Sequence, residues 1–330
     1  MDGKGSRKLF FIFMIFLCLL LLLSGGFNLT QHTQKPATTH KVHKNKNAEK
    51  RSFAIVYPVA HPFFQSVTQS AEETAKSLGV NVSIWASQIS DVKQQIRIME
   101  DLIQKHVDGI AIGPVDSEAL TPIINKAVDE GIKVICFDTD APNSKRTAYI
   151  GTNNYLAGRS MGEVVAQLLH GKGTIIGGTG TATLLNLKQR INGMKDVLKK
   201  YPNIKLLEIK PNDSIPNRAL SNTEKMIRSH PHFDLFVGMD SLSGPAAITV
   251  WKAMGLKKEL VTFDGLPIIL NGIENGQVTA TIAQREFTWG KLIIKRLNEA
   301  CEGKEISEIE DTGTIKITKD NIKGYLKASH

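Results

Sequence analysis

Cysteine is almost missing from this chain: its 330 residues hold three, Cys18, Cys136 and Cys301, with no paired spacing among them. A disulfide framework and a cysteine-rich metal or redox site are thereby excluded, and the three read as small apolar side chains. Aromatic residues are few, 6% of the total, within an ordinary 42% hydrophobic content. The body of the chain also lacks excess charge. There are 41 basic and 32 acidic residues, but nine basic and two acidic ones lie in residues 1–51, which leaves 32 against 30 for everything after. A basic tail on a near-neutral body argues against a DNA-binding face, so no nucleic-acid partner is expected. The length exceeds what one hydrophobic core usually holds, and two lobes are the expectation.

The long apolar run Leu9 to Leu23 follows a short basic start (Lys4, Arg7, Lys8) and precedes Ser24-Gly25-Gly26. Two fates fit residues 1–27: a signal peptide cut after small residues, or an uncleaved membrane anchor extended through Phe27 and Leu29. Cys18 follows Phe16 and Leu17 rather than small residues, so lipid attachment there is not expected. Either fate exports the downstream chain, because the basic residues stay on the cytoplasmic side. The expected location is outside the cytoplasmic membrane, in the periplasm or at the cell surface. Residues 28–52, rich in Gln, Thr, His, Lys and Asn, read as a flexible basic tether.

From Phe53 onward strand and helix signals alternate. Phe53–Tyr57 is a buried-strand run, and Pro62 opens a helix with Val67, Ala71, Ala75 and Leu78 on one face before Gly79. Val80–Trp85 is strand, and Ser90 and Asp91 cap a helix carrying Val92, Ile96, Met99 and Ile103. Gly109–Ile112 is strand, Ser117 caps a helix that runs to Gly131, and Lys133–Phe137 and Ala148–Gly151 are strands. The alternation restarts with strand Gly173–Gly177, helix Leu187–Lys199, strand Ile204–Ile209, helix Arg218–Ser229 and strand Leu235–Gly238. Helix Pro245–Met254, strand Leu260–Asp264, a short helix before Gly276, strand Val278–Ala283, helix Thr288–Cys301 and strand Gly313–Thr318 complete it. Such alternation, twice over, predicts an α/β protein of two parallel, doubly wound sheets.

Two strand ends echo one another. Val134-Ile135-Cys136-Phe137-Asp138 and Leu260-Val261-Thr262-Phe263-Asp264 both run from apolar residues into Phe-Asp after a helix that ends in glycine, Gly131 or Gly255. Ligands of open α/β sheets sit outside the carboxyl ends of the strands, so Asp138 and Asp264 are expected on opposite walls of one cleft.

Six motifs follow in order: Pro62-Phe63-Phe64, Phe137-Asp138-Thr139-Asp140-Ala141-Pro142, Tyr149-Ile150-Gly151-Thr152-Asn153, Asn186 with Gln189-Arg190 and Gly193, Phe263-Asp264-Gly265, and Thr279-Ala280-Thr281-Ile282-Ala283-Gln284. On these the chain, from about Phe53 to its end, resembles the ribose/galactose-type periplasmic sugar-binding proteins, the substrate-binding proteins of ABC transporters. The resemblance implies the type 1 periplasmic binding fold: two Rossmann-like lobes joined by a three-strand hinge, with a monosaccharide, pentose or hexose, held between them. One lobe would be residues 53–152 plus 285–311, the other 153–284 plus 312–330.

A pyranose has apolar C–H faces and a rim of hydroxyls, so aromatic planes and ionised side chains suit it. Phe63 and Phe64 are candidates for the face, one of them also packing the first helix. Asp138 and Asp264 can each accept hydrogen bonds from two hydroxyls. Asp140 reads instead as a cap for the following loop. The resemblance adds Arg190 and, one turn earlier on the same helix face, Asn186; it also adds Gln284 at a hinge-adjacent strand end and His61 at a polar position. Asp240, after another strand end, completes the candidate set. Where the resemblance leads one to expect Arg and Asn for a ribose binder, the chain has Thr139 and Met239, which are expected to alter the hydroxyl partners.

No cofactor, metal or catalytic residue is expected. A glycosidase needs two carboxylates across a cleft, but no nucleophile-base set accompanies this pair. A sugar-responsive repressor needs a helix-turn-helix, and a membrane segment and tether stand in that place. The resemblance implies delivery of the sugar to the permease of an ABC importer, with docking on the sensor domain of a membrane histidine kinase as the alternative.

Overall fold

The computed structural model describes residues 50–328. The segment 1–27, the tether as far as residue 49 and Cys18 lie outside the described residues. Within them, no helix is long and apolar enough to cross a membrane.

The first run of elements is β1 (Ser52–Tyr57), a 3-10 turn (Pro62–Phe64), α1 (Gln65–Leu78), β2 (Asn81–Ala86), α2 (Val92–Gln104), β3 (Gly109–Ile112), α3 (Ser117–Asp129), β4 (Lys133–Phe137) and β5 (Ala148–Gly151). The second is α4 (Asn154–Leu168), β6 (Lys172–Thr179), α5 (Leu185–Leu198), β7 (Asn203–Pro211), α6 (Pro216–Ser229), β8 (Leu235–Gly238), α7 (Ser243–Met254), β9 (Glu259–Phe263), α8 (Pro267–Glu274) and β10 (Ala280–Gln284). Then come α9 (Trp289–Cys301), β11 (Ile309–Asp311), β12 (Thr314–Thr318) and α10 (Ile322–Ala328).

Two six-stranded sheets result, ordered β11-β5-β4-β3-β1-β2 and β12-β10-β9-β8-β6-β7. The orders match strand for strand, so the two runs repeat one topology, with a switch between the first and third strand of each. All pairings are parallel except β10 with β12. The chain passes from one sheet to the other after β5, after β10 and between β11 and β12. Each sheet is covered on both faces by apolar clusters, which is why strands such as β4 are apolar runs rather than alternating ones.

Local expectations hold with these corrections, and β11 and α10 are further elements that the sequence reading did not contain. Ser52, assigned to the tether, begins β1, and its N–H donates to Asp108 Oδ2 at 2.7 Å. Leu78 is 42% exposed; the buried stripe of α1 is Val67, Ala71, Thr74 and Ala75. The cap of α3 is Asp116, whose Oδ1 accepts from Glu118 and Ala119, while Ser117 is already helical and bonds to Asp140 O. Helix α4 is absent from the sequence reading, because Gly158 and Gly162 interrupt the apolar stripe that would have marked it. Its cap, Asn153 Oδ1 accepting from Leu156 N–H at 3.1 Å, was the available signal.

Candidate functional site

The strand ends carry the chemistry. Asp138 follows β4 and Asp264 follows β9, and both adopt left-handed backbone, φ +59 and +70. At Asp138 the Thr139 N–H donates back to Phe137 O at 2.6 Å, closing a tight three-residue turn. Left-handed conformation is strained for a side chain other than glycine, although Asp tolerates it better than most. It recurs at matching positions of two sheets, which makes both residues candidates for function. Each carboxylate has one oxygen engaged: Asp138 Oδ1 accepts from Asn186 Nδ2 at 3.2 Å, and Asp264 Oδ1 from Gln284 Nε2 at 2.8 Å. No hydrogen bond from the described residues reaches either Oδ2.

Between them stands Arg190. Its Nε donates to Asn154 Oδ1 at 2.9 Å, Nη1 to Met239 O at 3.0 Å and Nη2 to Gln284 Oε1 at 3.1 Å. Its guanidinium lies 3.8 Å from the Phe263 ring centroid. A guanidinium has five N–H donors, so two remain for a ligand. Backbone packing sets its position: a Cβ on Gly193 would lie 2.1 Å from Tyr155 O, and one on Gly158 2.0 Å from Arg190 O. Only glycine lets α4 and α5 approach this closely.

A cavity of about 210 Å³ opens onto this group. His61, Phe63, Phe64, Asp138, Asn186, Arg190, Asp240, Asp264 and Gln284 all line it. Phe64 stacks on Tyr57 at 4.5 Å, and Phe63 meets Trp289 edge-on, so both rings are packed as well as cavity-facing. His61 Nδ1 accepts the Phe63 N–H at 3.2 Å, which puts the proton of the neutral ring on Nε2. Asp240 is tied down by Ser243 Oγ on Oδ1 and by Asn212 Nδ2 (2.9 Å) and Leu242 N–H (3.3 Å) on Oδ2. Asp140 is an intra-loop partner, accepting from Ala141 N–H at 2.7 Å and pairing with Arg146.

Electrostatics follow from burial. Loss of solvent pushes the Asp138 and Asp264 carboxyls up to about 6, although the Arg190 charge pulls both down. Arg190 itself is lowered by burial and supported by the two carboxylates. Burial also lowers His61, against the opposing charge of Asp240.

Thr139 and Met239 do not line the cavity. Met239 is in the core of the second sheet and contributes its carbonyl through Arg190, and the buried Thr139 hydroxyl has no partner among the described residues. Sequence reasoning missed Gln88, Ser90, Leu184, Leu187, Ser214 and Leu242 in the lining. It also missed Glu286, just past β10, whose Oε2 is buried without a hydrogen bond and whose carboxyl is pushed up to about 8 by burial and by Asp264. Apart from Leu187, which lies in α5, these are loop, turn or helix-end residues and carry no periodic signal.

Direct contacts join the two sheets across the cavity. Besides Asn186 to Asp138, Ser90 Oγ lies 3.3 Å from Ser214 Oγ and Thr183 Oγ1 donates to Val115 O at 2.8 Å. Leu266, after Asp264, packs against apolar clusters of both sheets.

Comparison with known proteins finds a match to the family described as periplasmic binding protein domain over residues 53–305. The D-allose-binding periplasmic protein of Escherichia coli is 27% identical over 277 residues, 80% of this chain and 88% of that protein. The ribose import binding protein of Bacillus subtilis is 25% identical over 293 residues, 88% of this chain and 94% of that protein. Among solved structures, an ABC transporter solute binding protein from Burkholderia graminis in complex with D-arabinose is 36% identical, with TM-score 0.81, covering 85% of this chain and 99% of that one.

Proposed function

The chain belongs to the periplasmic binding protein domain family, and from that premise we propose that it captures a monosaccharide outside the cytoplasmic membrane and delivers it to the permease of an ABC importer. It is a binding protein, not an enzyme. One observation carries the reading: Asp138 from one sheet and Asp264 from the other each leave a carboxylate oxygen open to a shared cavity, with Arg190 between them. Adjacent sugar hydroxyls would donate to these oxygens in charge-assisted bonds, and the spare Arg190 N–H groups would donate to hydroxyl or ring oxygen. Names among its relatives speak of allose, ribose and arabinose, which supports a pentose or hexose.

A ligand that touches both lobes binds the closed form better and shifts the hinge equilibrium by that difference in affinity. The recipient then reads closure rather than sugar. Calorimetry with a panel of pentoses and hexoses tests capture; absence of binding to every member overturns it.

A second reading keeps capture and changes the recipient to the sensor domain of a membrane histidine kinase. Its support is the apolar run Leu9 to Leu23, with no cysteine in a context suited to lipid attachment, which could hold the chain at the membrane as an uncleaved anchor. Deleting the gene separates the two. Loss of labelled-sugar uptake supports import, whereas intact uptake with lost sugar-induced transcription supports sensing.

A further inference from the structure

The two ends of the cavity differ in chemistry. On the second sheet the strand ends rise in the order β10, β9, β8, β6, β7, carrying Gln284, Asp264, Asp240, Gly180 and the Ser214 loop. Toward β10 and β9 the wall is polar and underused: Asp138 Oδ2, Asp264 Oδ2 and spare Arg190 donors have no partner among the described residues.

Toward β6 and β7 the wall gains four aliphatic side chains. Leu184 and Leu187 from the start of α5, Leu242 ahead of α7 and Pro216 at the start of α6 line it. Leu187 lies over Gly180, where an added Cβ would meet its Cδ1 at 2.9 Å. Of the polar side chains nearest the leucines, Asp240 and Ser214 already have protein partners. Both oxygens of Asp240 accept protein hydrogen bonds, and Ser214 Oγ lies 3.3 Å from Ser90 Oγ and 3.1 Å from Thr181 Oγ1.

Resting on the monosaccharide reading above, we infer that the pocket selects a sugar ring whose outer carbon bears no hydroxyl, a pentopyranose or a 6-deoxyhexopyranose, and that Leu184, Leu187 and Leu242 enforce the choice. One edge of such a ring presents its hydroxyls to Asp138, Arg190 and Asp264. The opposite edge presents a methylene or methyl group to the leucines. A full hexose would place a primary hydroxyl against the leucine side chains, which offer no acceptor, and its hydrogen bonds to water would go unreplaced there. An apolar pocket rejects an added hydroxyl by at most about a hundredfold, so the expected preference is about ten- to hundredfold.

The test is calorimetry on the purified full chain with three matched sugar series. D-arabinose, L-fucose and L-galactose share ring stereochemistry and differ only in carrying hydrogen, methyl or hydroxymethyl at C5. D-xylose, 6-deoxy-D-glucose and D-glucose form the second series, and D-ribose, 6-deoxy-D-allose and D-allose the third. In whichever series binds, the pentose or 6-deoxy sugar is expected to bind at least about tenfold tighter than the hexose. Leu187→Asn should narrow that ratio to within about threefold by offering the hydroxyl a partner. The half-buried Leu242→Ser serves if the first variant does not fold. A hexose that binds wild type as tightly as its deoxy partner overturns the selectivity while leaving sugar capture standing. No binding in any series overturns both.

Discussion

Asn186 Nδ2, on a helix of the second lobe, lies 3.2 Å from Asp138 Oδ1, at a strand end of the first. The two halves of the molecule therefore meet inside the cavity itself, and the Asp138 carboxylate is oriented by the opposite wall. Under the proposed function, ligand binding and lobe closure share that contact.

Asp138→Asn and Asp264→Asn each replace an open carboxylate oxygen with a neutral group. Two charge-assisted hydrogen bonds are weakened in each case, at about 1.5–3 kcal/mol apiece, so sugar affinity should fall more than about a hundredfold. Both variants should still unfold cooperatively. Calorimetry and thermal unfolding together check this, and unchanged affinity would contradict the site.

The pH dependence has a defined sign. The folded protein holds Asp138 and Asp264 at about 6 against 3.8, so it binds extra protons between about pH 4 and pH 6. Their contribution to ligand-free stability is present at low pH and is lost as pH rises through about 6. His61, lowered by burial, acts in the opposite sense. The comparison to make is therefore wild type against the double Asn variant, in which the rise at low pH should disappear. Affinity should run the other way, falling about tenfold or more from pH 7.5 to 5 as the acceptors protonate.

Glu286 extends the same logic to higher pH. With its carboxyl pushed up to about 8, its contribution is lost as pH rises through that value. Glu286→Gln should flatten the fall in melting temperature between about pH 7 and 9 and leave affinity at neutral pH nearly unchanged, because the residue is outside the cavity lining.

Gly193→Ala places a methyl group 2.1 Å from Tyr155 O and forces α5 away from α4. Overpacking of this kind costs about 1–3 kcal/mol. Since α5 carries Arg190 and Asn186, unfolding at lower temperature should be accompanied by weaker sugar binding.

Leu266→Ala removes apolar contact between the lobes without touching the cavity lining. The closed form should lose roughly 1–2 kcal/mol, which weakens every sugar by the same factor of about 5–30. Small-angle scattering of the ligand-free variant should show a larger radius of gyration if closed molecules were populated before. A change confined to one sugar would contradict a pure closure role.

Much of this architecture is local and therefore legible. The apolar run into Phe-Asp occurs twice, and a parallel strand buried on both faces has to be such a run. Asn186 and Arg190, four residues apart, share a helix face in sequence and in space. Adjacency misled at Thr139 and Met239: each is the chain neighbour of a cavity carboxylate but, past the end of its strand, does not line the cavity. Leu242, Ser214 and Ser90 stayed invisible, since each sits in a turn or loop whose partner is distant in the chain.

The amino-acid order settled the repeated strand-helix rhythm, the near-neutral body and the pair of acidic strand ends, all of which depend on residues within a few positions of each other. Closure of the chain over itself decided the rest. That Arg190 stands between both carboxylates, that Asp240 is already satisfied, and that leucines line one end of the cavity are consequences of which loops the two sheets bring together. Short-range pattern cannot encode such distances, because they depend on how helices and sheets pack around the whole fold.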